Sequence, residues 1–273
     1  MWRQWRWLVC TCFSCLLSFS LAIDVVDVAL SPFLIQIILI FILAGLVKGI
    51  VGFGLPTIGI GFGALISDIP TAMMLILVPT IFTNIAQVLA TGSMASVVKK
   101  TWAFLSGAVI LIPLGLWVVS IMPEFPFDRL LGILILVYSL VSLSGFNPLT
   151  HTRHNHLLGL TFGLLNSFLS GKTGSMTVPG LMYLRSLQLP SNDLLCAMGI
   201  LFLISTIAIG GSLWWLDLAT QELSTLSAMM CVPVALGVWI GMRVRSILSE
   251  ERFKQVFLYA FALLGAYLVI FGG

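Results

Sequence analysis

Two glycine-rich stretches interrupt the most apolar parts of the sequence and decide how the chain can fold. Residues 45–56 read GLVKGIVGFGLP, and residues 167–179 read SFLSGKTGSMTVP. Each stretch contains a lysine and ends in a proline, so each breaks an apolar run. In lipid, backbone N–H and C=O groups have to be satisfied internally, and such a break is tolerated only where it lines a cavity or is buried in protein. The two stretches therefore predict a site inside a membrane protein.

The composition excludes a water-soluble globular domain. Of the 273 residues, 59% are hydrophobic and only 8% are charged, and the mean hydropathy is +1.13. A soluble domain carries about 25% charged residues, because its surface faces water. The net charge of +3 gives no indication of a nucleic-acid partner.

Eight apolar runs follow the first segment, and the charged residues lie in short groups between them. A membrane-spanning helix takes about 20 apolar residues, so the pattern predicts an all-α polytopic membrane protein with no extramembrane domain. The runs cover residues 33–66, 70–92, 102–121, 129–146, 156–187, 193–215, 222–243 and 252–271.

The two glycine-rich stretches belong to an internal repeat with a shift of 120 to 123 residues. Gly49 and Gly52 recur as Gly171 and Gly174. The series predicts a first membrane repeat at 31–147 and a second at 156–272, each an interrupted run followed by three helices. The other matches are Pro70 with Pro190, Pro113 with Pro233, Gly115 with Gly237, Trp117 with Trp239, and Asp128-Arg129 with Glu251-Arg252.

Lysine and arginine residues predict which ends of the helices face the cytoplasm. Lys99-Lys100, between two predicted helices, and the basic group at 243–254 mark the inner side. The run at 156–187 then enters and leaves on the inner side, and the run at 33–66 on the outer side. We therefore expect two re-entrant hairpins in repeats of inverted topology. The alternative has each interrupted run crossing fully, which gives eight helices in two parallel repeats.

Residues 1–23 form either a cleaved signal peptide or a first membrane helix. Arg3 and Arg6 precede an apolar stretch at residues 7–21, and both arrangements place the N-terminus in the cytoplasm. The five cysteines all lie in apolar runs, so we expect them to act as small apolar residues rather than as disulfides or metal ligands.

Lys48 and Lys172 indicate what the interrupted runs bind. They are the basic residues that lie far from the ends of their apolar runs, and no carboxylate lies in the middle of any run to pair with them. A buried ammonium in a membrane is costly unless it is paired or hydrated. We infer that a small anionic substrate is the missing counter-ion, and that helix N-termini at the breaks favour it further. The alternative is that both lysines are structural, reaching a headgroup or capping a hairpin tip.

The predicted substrate-binding residues come from both breaks and from the helices that follow them. For the polar residues on those helices, an interhelical hydrogen bond is an equally good interpretation. The full set is Lys48, Gly49, Gly52, Gly54, Asn84, Gln87, Asn166, Ser170, Gly171, Lys172, Thr173, Gly174, Ser175, Ser205 and Thr206.

Three other interpretations of these residues fail. Gly171-Lys172-Thr173 resembles the end of a phosphate-binding loop, but Asn166 stands where that motif requires glycine. A serine/lysine protease built on Ser170 and Lys172 fails because residues two apart on a helix point away from each other. The histidines at 151, 154 and 156 are better explained by a solvated loop than by a metal site. We predict neither an enzyme nor a cofactor.

The sequence resembles the TauE/SafE family of sulfite-exporter-like permeases over about residues 33–271. The resemblance lies in the two breaks, in Ile69-Pro70 and Leu189-Pro190, and in Asp128-Arg129 and Glu251-Arg252. Where that family has three consecutive glycines, this chain has Gly52-Phe53-Gly54, so the substrate stays open.

The resemblance implies a multi-pass permease of the bacterial inner membrane that exports sulfite, a sulfonate such as sulfoacetate, or a related sulfur-containing or carboxylic anion. We expect alternating access, with the lipid bilayer and the anion as partners and no nucleic acid; a homo-oligomer is compatible with the sequence. The alternatives are a non-transporting membrane scaffold or accessory subunit, and an anion channel.

Overall fold

The computed structural model describes residues 32–122, 124–145, 155–245 and 250–272, which form helices and connections without a strand. The predicted all-α class is confirmed. The segment at 1–23 and the histidines at 151 and 154 lie outside the described residues. The helices are α1 (Pro32–Val51), α2 (Leu55–Gly63), α3 (Ile69–Thr91), α4 (Met94–Ile110), α5 (Ile112–Ile121), α6 (Phe127–Ser144), α7 (His156–Thr173), α8 (Gly180–Ser186), α9 (Ser191–Trp215), α10 (Gln221–Met229), α11 (Cys231–Arg245) and α12 (Glu250–Phe271).

Six helical segments in the described ranges are long and apolar enough to cross a membrane. They are α1, α3, α4 with α5, α6, α9, and α10 with α11. Large apolar side chains are exposed along these segments, among them Leu39 on α1 and Ile207 on α9. Since lipid is the solvent that tolerates such surfaces, the chain is a multi-pass membrane protein.

The proline-containing links begin helices, but one expected loop is helical. Pro70 lies in the first turn of α3, where the Asp68 side chain accepts a hydrogen bond from the Thr71 N–H, and Pro190 immediately precedes α9. Lys99-Lys100 lie within α4, not between two helices as the hydropathy pattern predicted. The helix begins before its apolar part does, because its first turns need no lipid contact.

Long-range helix pairs connect the two halves of the chain. The most extensive contacts join α1 to α11, α4 and α5 to α7, α3 to α9, and α6 to α12. Glycines allow close backbone approach in three of these pairs. A Cβ on Gly49 would lie 2.4 Å from the Val238 carbonyl oxygen, one on Gly171 would lie 2.4 Å from that of Ile112, and one on Gly132 would lie 2.8 Å from that of Gly265. Small residues at helix crossings are typical of membrane proteins, where packing drives association.

The helices α7 and α8 form a hairpin that begins and ends at one end of the bundle. The Gly180 N–H donates to Asn166 Oδ1 across the hairpin. His156 at the start of α7 contacts the Trp102 ring, and Asp193 at the start of α9 pairs with Lys100. Since Lys100 and Trp102 share one part of α4, both feet of the hairpin lie there. We call this the Lys100 end.

The helices α1 and α2 form a hairpin with its feet at the opposite end. Gly54, just before α2, and Gly61 within it face Phe257 and Leu264 of α12, so α2 runs the same way as α12. The end of α12, at Gly272, accepts a hydrogen bond from Arg129 at the start of α6. We call the end of the bundle where α12 ends and α6 begins the Asp128 end. Helix α2 runs towards the Asp128 end, and α1, beside α11, runs away from it.

Candidate functional site

The first break lies between α1 and α2 and depends on two glycines. Helix α1 ends at Val51, Gly52 has φ +88° and Gly54 has φ +102°. A β-carbon disfavours these dihedral angles, so glycine allows the chain to reverse here. The N-terminus of α2 has no side-chain cap, so its partial positive charge is left for another group.

The second break inserts its tip into the first half of the protein. Helix α7 ends at Thr173, and Gly174 follows with φ +68°. A Cβ on Gly174 would lie 2.4 Å from Ile60 of α2 and 3.0 Å from Met73 of α3. The tip of the second hairpin is therefore held by helices of the first.

A threonine from each break meets at the contact between the hairpins. The hydroxyls of Thr57 and Thr177 are within hydrogen-bond distance, and both side chains are buried. Thr57 lies in the first turn of α2, and Thr177 lies on the segment leading into α8. This hydrogen bond joins the two interrupted segments directly.

Lys48 lies in the interior, and its partner is an amide. The residue is 4% exposed, and its Nζ donates a hydrogen bond to Asn84 Oδ1 on α3. No carboxylate in the described part of the chain forms an ion pair with it. The structure thus brings together two of the predicted site residues around a buried basic group.

Several buried polar groups have no hydrogen-bond partner within the described chain. The amide nitrogens of Asn84 and Asn166 are unpaired, and so are the hydroxyls of Thr80 and Thr206. A buried polar group without a partner is unfavourable, so these donors indicate a place for a ligand or for water. The antiparallel register of α3 and α9, in which Gln87 bonds Leu195 and Leu77 faces Gly210, puts Thr80 and Thr206 at one level.

Other predicted site residues are occupied by structural contacts. Gln87 Nε2 donates to the Leu195 carbonyl at 2.7 Å, and Ser205 Oγ lies 3.5 Å from the Ala108 carbonyl oxygen. Ser170 Oγ donates to the Ser175 carbonyl at 3.0 Å, and Thr173 Oγ1 to the Leu169 carbonyl. These bonds stabilise the helix contacts and the hairpin tip.

Lys172 points towards a different element from Lys48. Its Nζ lies 4.3 Å from the centre of the Phe168 ring and 6.0 Å from that of Phe127, at the start of α6. Lys48 instead faces α3. The two lysines, which the sequence treats alike, therefore have separate surroundings.

Thr57, Thr177 and Thr80 are not among the site residues that the sequence predicts. Thr57 and Thr177 differ by 120 residues, which is within the spacing of the repeat, and each lies within two residues of the proline that ends its stretch. Their matching positions in the repeat could have identified them as a pair. The sequence around Thr80 contains no such signal, because a single hydroxyl in an apolar helix more often bonds a backbone carbonyl of its own helix.

Comparison with curated proteins and comparison with solved structures gave no match. The family model described as sulfite exporter TauE/SafE matches residues 37–268, which include both breaks and all of the helix pairs described above. The match covers most of the chain, so it extends beyond the glycine-rich stretches that suggested it. This multi-pass membrane protein belongs to the TauE/SafE sulfite exporter family, a family of membrane permeases.

Proposed function

We propose that this protein is a permease of the bacterial inner membrane that exports a small anion by alternating access. The substrate class is sulfite, a sulfonate such as sulfoacetate, or a related sulfur-containing or carboxylic anion. The observation that carries the proposal is Lys48, a buried basic residue whose described partner is the amide of Asn84.

The surroundings of Lys48 support an anion over a cation or a neutral ligand. The Asn84 amide, whose oxygen accepts a hydrogen bond from Lys48, also has an unpaired N–H group, which can only donate. A buried basic residue beside an amide donor, with no ion pair to a carboxylate among the described residues, suits an oxyanion, which accepts several hydrogen bonds at once. The uncapped N-terminus of α2 adds a partial positive charge at the first break.

The hairpins support a mechanism in which the two halves move against each other. One hairpin has its feet at the Lys100 end and the other at the Asp128 end, as repeats of inverted topology would have. Since Thr57 and Thr177 join the hairpins at their contact, a rocking of the halves would open the site to one end at a time. Basic residues near the Lys100 end support a cytoplasmic location for it.

A binding measurement on purified protein tests the proposal. Sulfite, sulfoacetate, acetate and chloride are added to wild type, to Lys48→Met and to Lys99→Met, and the melting temperature is followed. Lys99 is exposed on α4, so its replacement is the matched control for loss of one charge. Wild type and Lys99→Met should gain stability with one of the oxyanions, and Lys48→Met should not.

The same proteins reconstituted in vesicles separate the alternatives. A permease gives an anion flux that saturates and that supports exchange, whereas a channel gives neither saturation nor exchange. A scaffold gives no flux, and Lys48→Met would then change nothing. Equal anion binding by folded wild type and Lys48→Met would show that Lys48 is structural and that the proposed site is wrong.

A further inference from the structure

Two more basic side chains lie on the second hairpin, and each of them rests on two aromatic rings. Lys172 contacts Phe168 and Phe127, as described above. The Arg185 guanidinium carbon lies 5.6 Å from the centre of the Phe53 ring and 5.9 Å from that of Tyr138. Both basic residues are partly exposed, whereas Lys48 is buried.

The two side chains lie at different levels along the bundle. Lys172 is at the tip of the hairpin and reaches Phe127, which begins α6 at the Asp128 end. Arg185 is in the last turn of α8, which returns to the Lys100 end. Arg185 lies over Tyr138 and Lys172 over Phe127, so the two basic groups are about three helical turns apart along α6.

Arg185 is also close to the chain segment that carries Lys48. Phe53, on which its guanidinium lies, follows Gly52 directly, and the Gly52 N–H donates to the Lys48 carbonyl at 2.8 Å. An anion held by Arg185 would thus be next to the break that leads to Lys48.

Neither side chain is neutralised by a carboxylate of the described chain. Asp193, the nearest acidic residue in sequence to Arg185, pairs with Lys100 at 3.0 Å. An aromatic face attracts a cation through its quadrupole but carries no net charge. Each basic group therefore keeps a positive charge available to a second, anionic partner, and its aromatic rings hold it in place.

We propose that Arg185 and Lys172 are anion-capture residues at the two mouths of the transport route, on either side of the central Lys48 site. The anion passes from Arg185 to Lys48 and leaves past Lys172. This inference rests on the proposed function. A positive charge at each mouth raises the local concentration of an anion and speeds its entry.

Charge rescue through a cysteine tests this assignment. The five native cysteines are replaced by alanine in a background that still transports, and Arg185→Cys and Lys172→Cys are made in it. Each protein, oriented in vesicles, is treated from one face with a membrane-impermeant methanethiosulfonate that adds either a trimethylammonium-ethyl or a sulfonatoethyl group. Flux of the anion identified in the binding panel is measured at low concentration.

Each cysteine variant should lose flux at low anion concentration, on the order of tenfold. The positively charged reagent should restore most of the loss and the negatively charged reagent should not. Labelling should require the Lys100 face for Arg185→Cys and the opposite face for Lys172→Cys. A purely structural stacking role predicts no rescue by charge, or an equal response to both reagents.

The outcomes distinguish this inference from the function on which it rests. If Lys48→Met abolishes flux while Arg185→Cys and Lys172→Cys transport normally, the capture residues are wrong and the central site stands. The inference also fails if the positively and negatively charged reagents have the same effect on the flux of a cysteine variant. It fails as well if either cysteine is labelled from the face opposite to the one expected. If Lys48→Met transports as well as wild type, the proposed function's site fails instead.

Discussion

The hydroxyls of Thr57 and Thr177 are hydrogen-bonded to each other although the residues are 120 positions apart in the chain. This separation is the spacing of the internal repeat. In the inverted repeat that we propose, two matching positions can touch only near the axis that relates the two copies. The contact therefore marks the centre of the proposed transport route, between the two broken helices.

We expect the threonine pair to be energetically coupled. Thr57→Val or Thr177→Val alone leaves the other hydroxyl buried and unpaired, and each should lower the free energy of unfolding by about 1–3 kcal/mol. The double variant should lose less than the sum, because two valines leave no hydroxyl unpaired. Unfolding in mixed detergent micelles gives the free energy of unfolding of wild type, of each single variant and of the double variant. Additive effects of the two replacements would mean that the hydroxyls do not interact.

An internal carboxylate should replace the anionic substrate. In Asn84→Asp, the new carboxylate lies where the amide now accepts a hydrogen bond from Lys48. An ion pair forms inside the protein, so the variant should fold without ligand and lose the thermal stabilisation that the anion gives wild type. Binding is measured by calorimetry and stability by melting in detergent.

The double variant Lys48→Met with Asn84→Asp is the control for that experiment. It retains the buried carboxylate without its partner and should melt below both single variants, because an unpaired buried charge is strongly unfavourable. Undiminished anion binding by folded Asn84→Asp would place the anion elsewhere than at Lys48.

Close helix contact at Gly115 should be intolerant of a side chain. A Cβ there would lie 2.4 Å from the Phe168 carbonyl oxygen, on the backbone of α7. Gly115→Ala should therefore lower the free energy of unfolding by about 1–3 kcal/mol. Gly211 on α9 is the matched control, since a Cβ on it meets nothing within 4 Å. If Gly115→Ala and Gly211→Ala had the same free energy of unfolding, the close contact between α5 and α7 would not contribute to stability.

Export should depend on the membrane voltage and not require a proton gradient. A negative interior drives an anion outward with about 2.3 kcal/mol per charge per 100 mV, and the described part of the chain pairs Lys48 with an amide, not with a carboxylate that could relay protons. Flux in vesicles should persist when the pH difference is removed at constant voltage. A collapse of flux under those conditions would demonstrate proton coupling.

The sequence by itself determined the fold class and the location of the breaks. Low charge content and eight apolar runs exclude a water-soluble domain, because lipid is the one solvent that such a chain can face. Gly52, Gly54 and Gly174 have the positive φ angles that interrupt helices, as their place in glycine-rich stretches predicted. Lys48 was selected as a buried basic residue, and it is 4% exposed.

Only the tertiary structure decided which polar groups meet. The sequence ranked Lys48 and Lys172 together, yet one faces Asn84 and the other lies over Phe168. For Gln87 it left a ligand and an interhelical hydrogen bond as equal alternatives, and the structure shows the Gln87 amide donating to the Leu195 carbonyl. The physical reason is that side-chain contacts depend on how helices far apart in sequence pack, whereas hydropathy and glycine content act on each segment separately. The pairing of Thr57 with Thr177 arises in that packing alone.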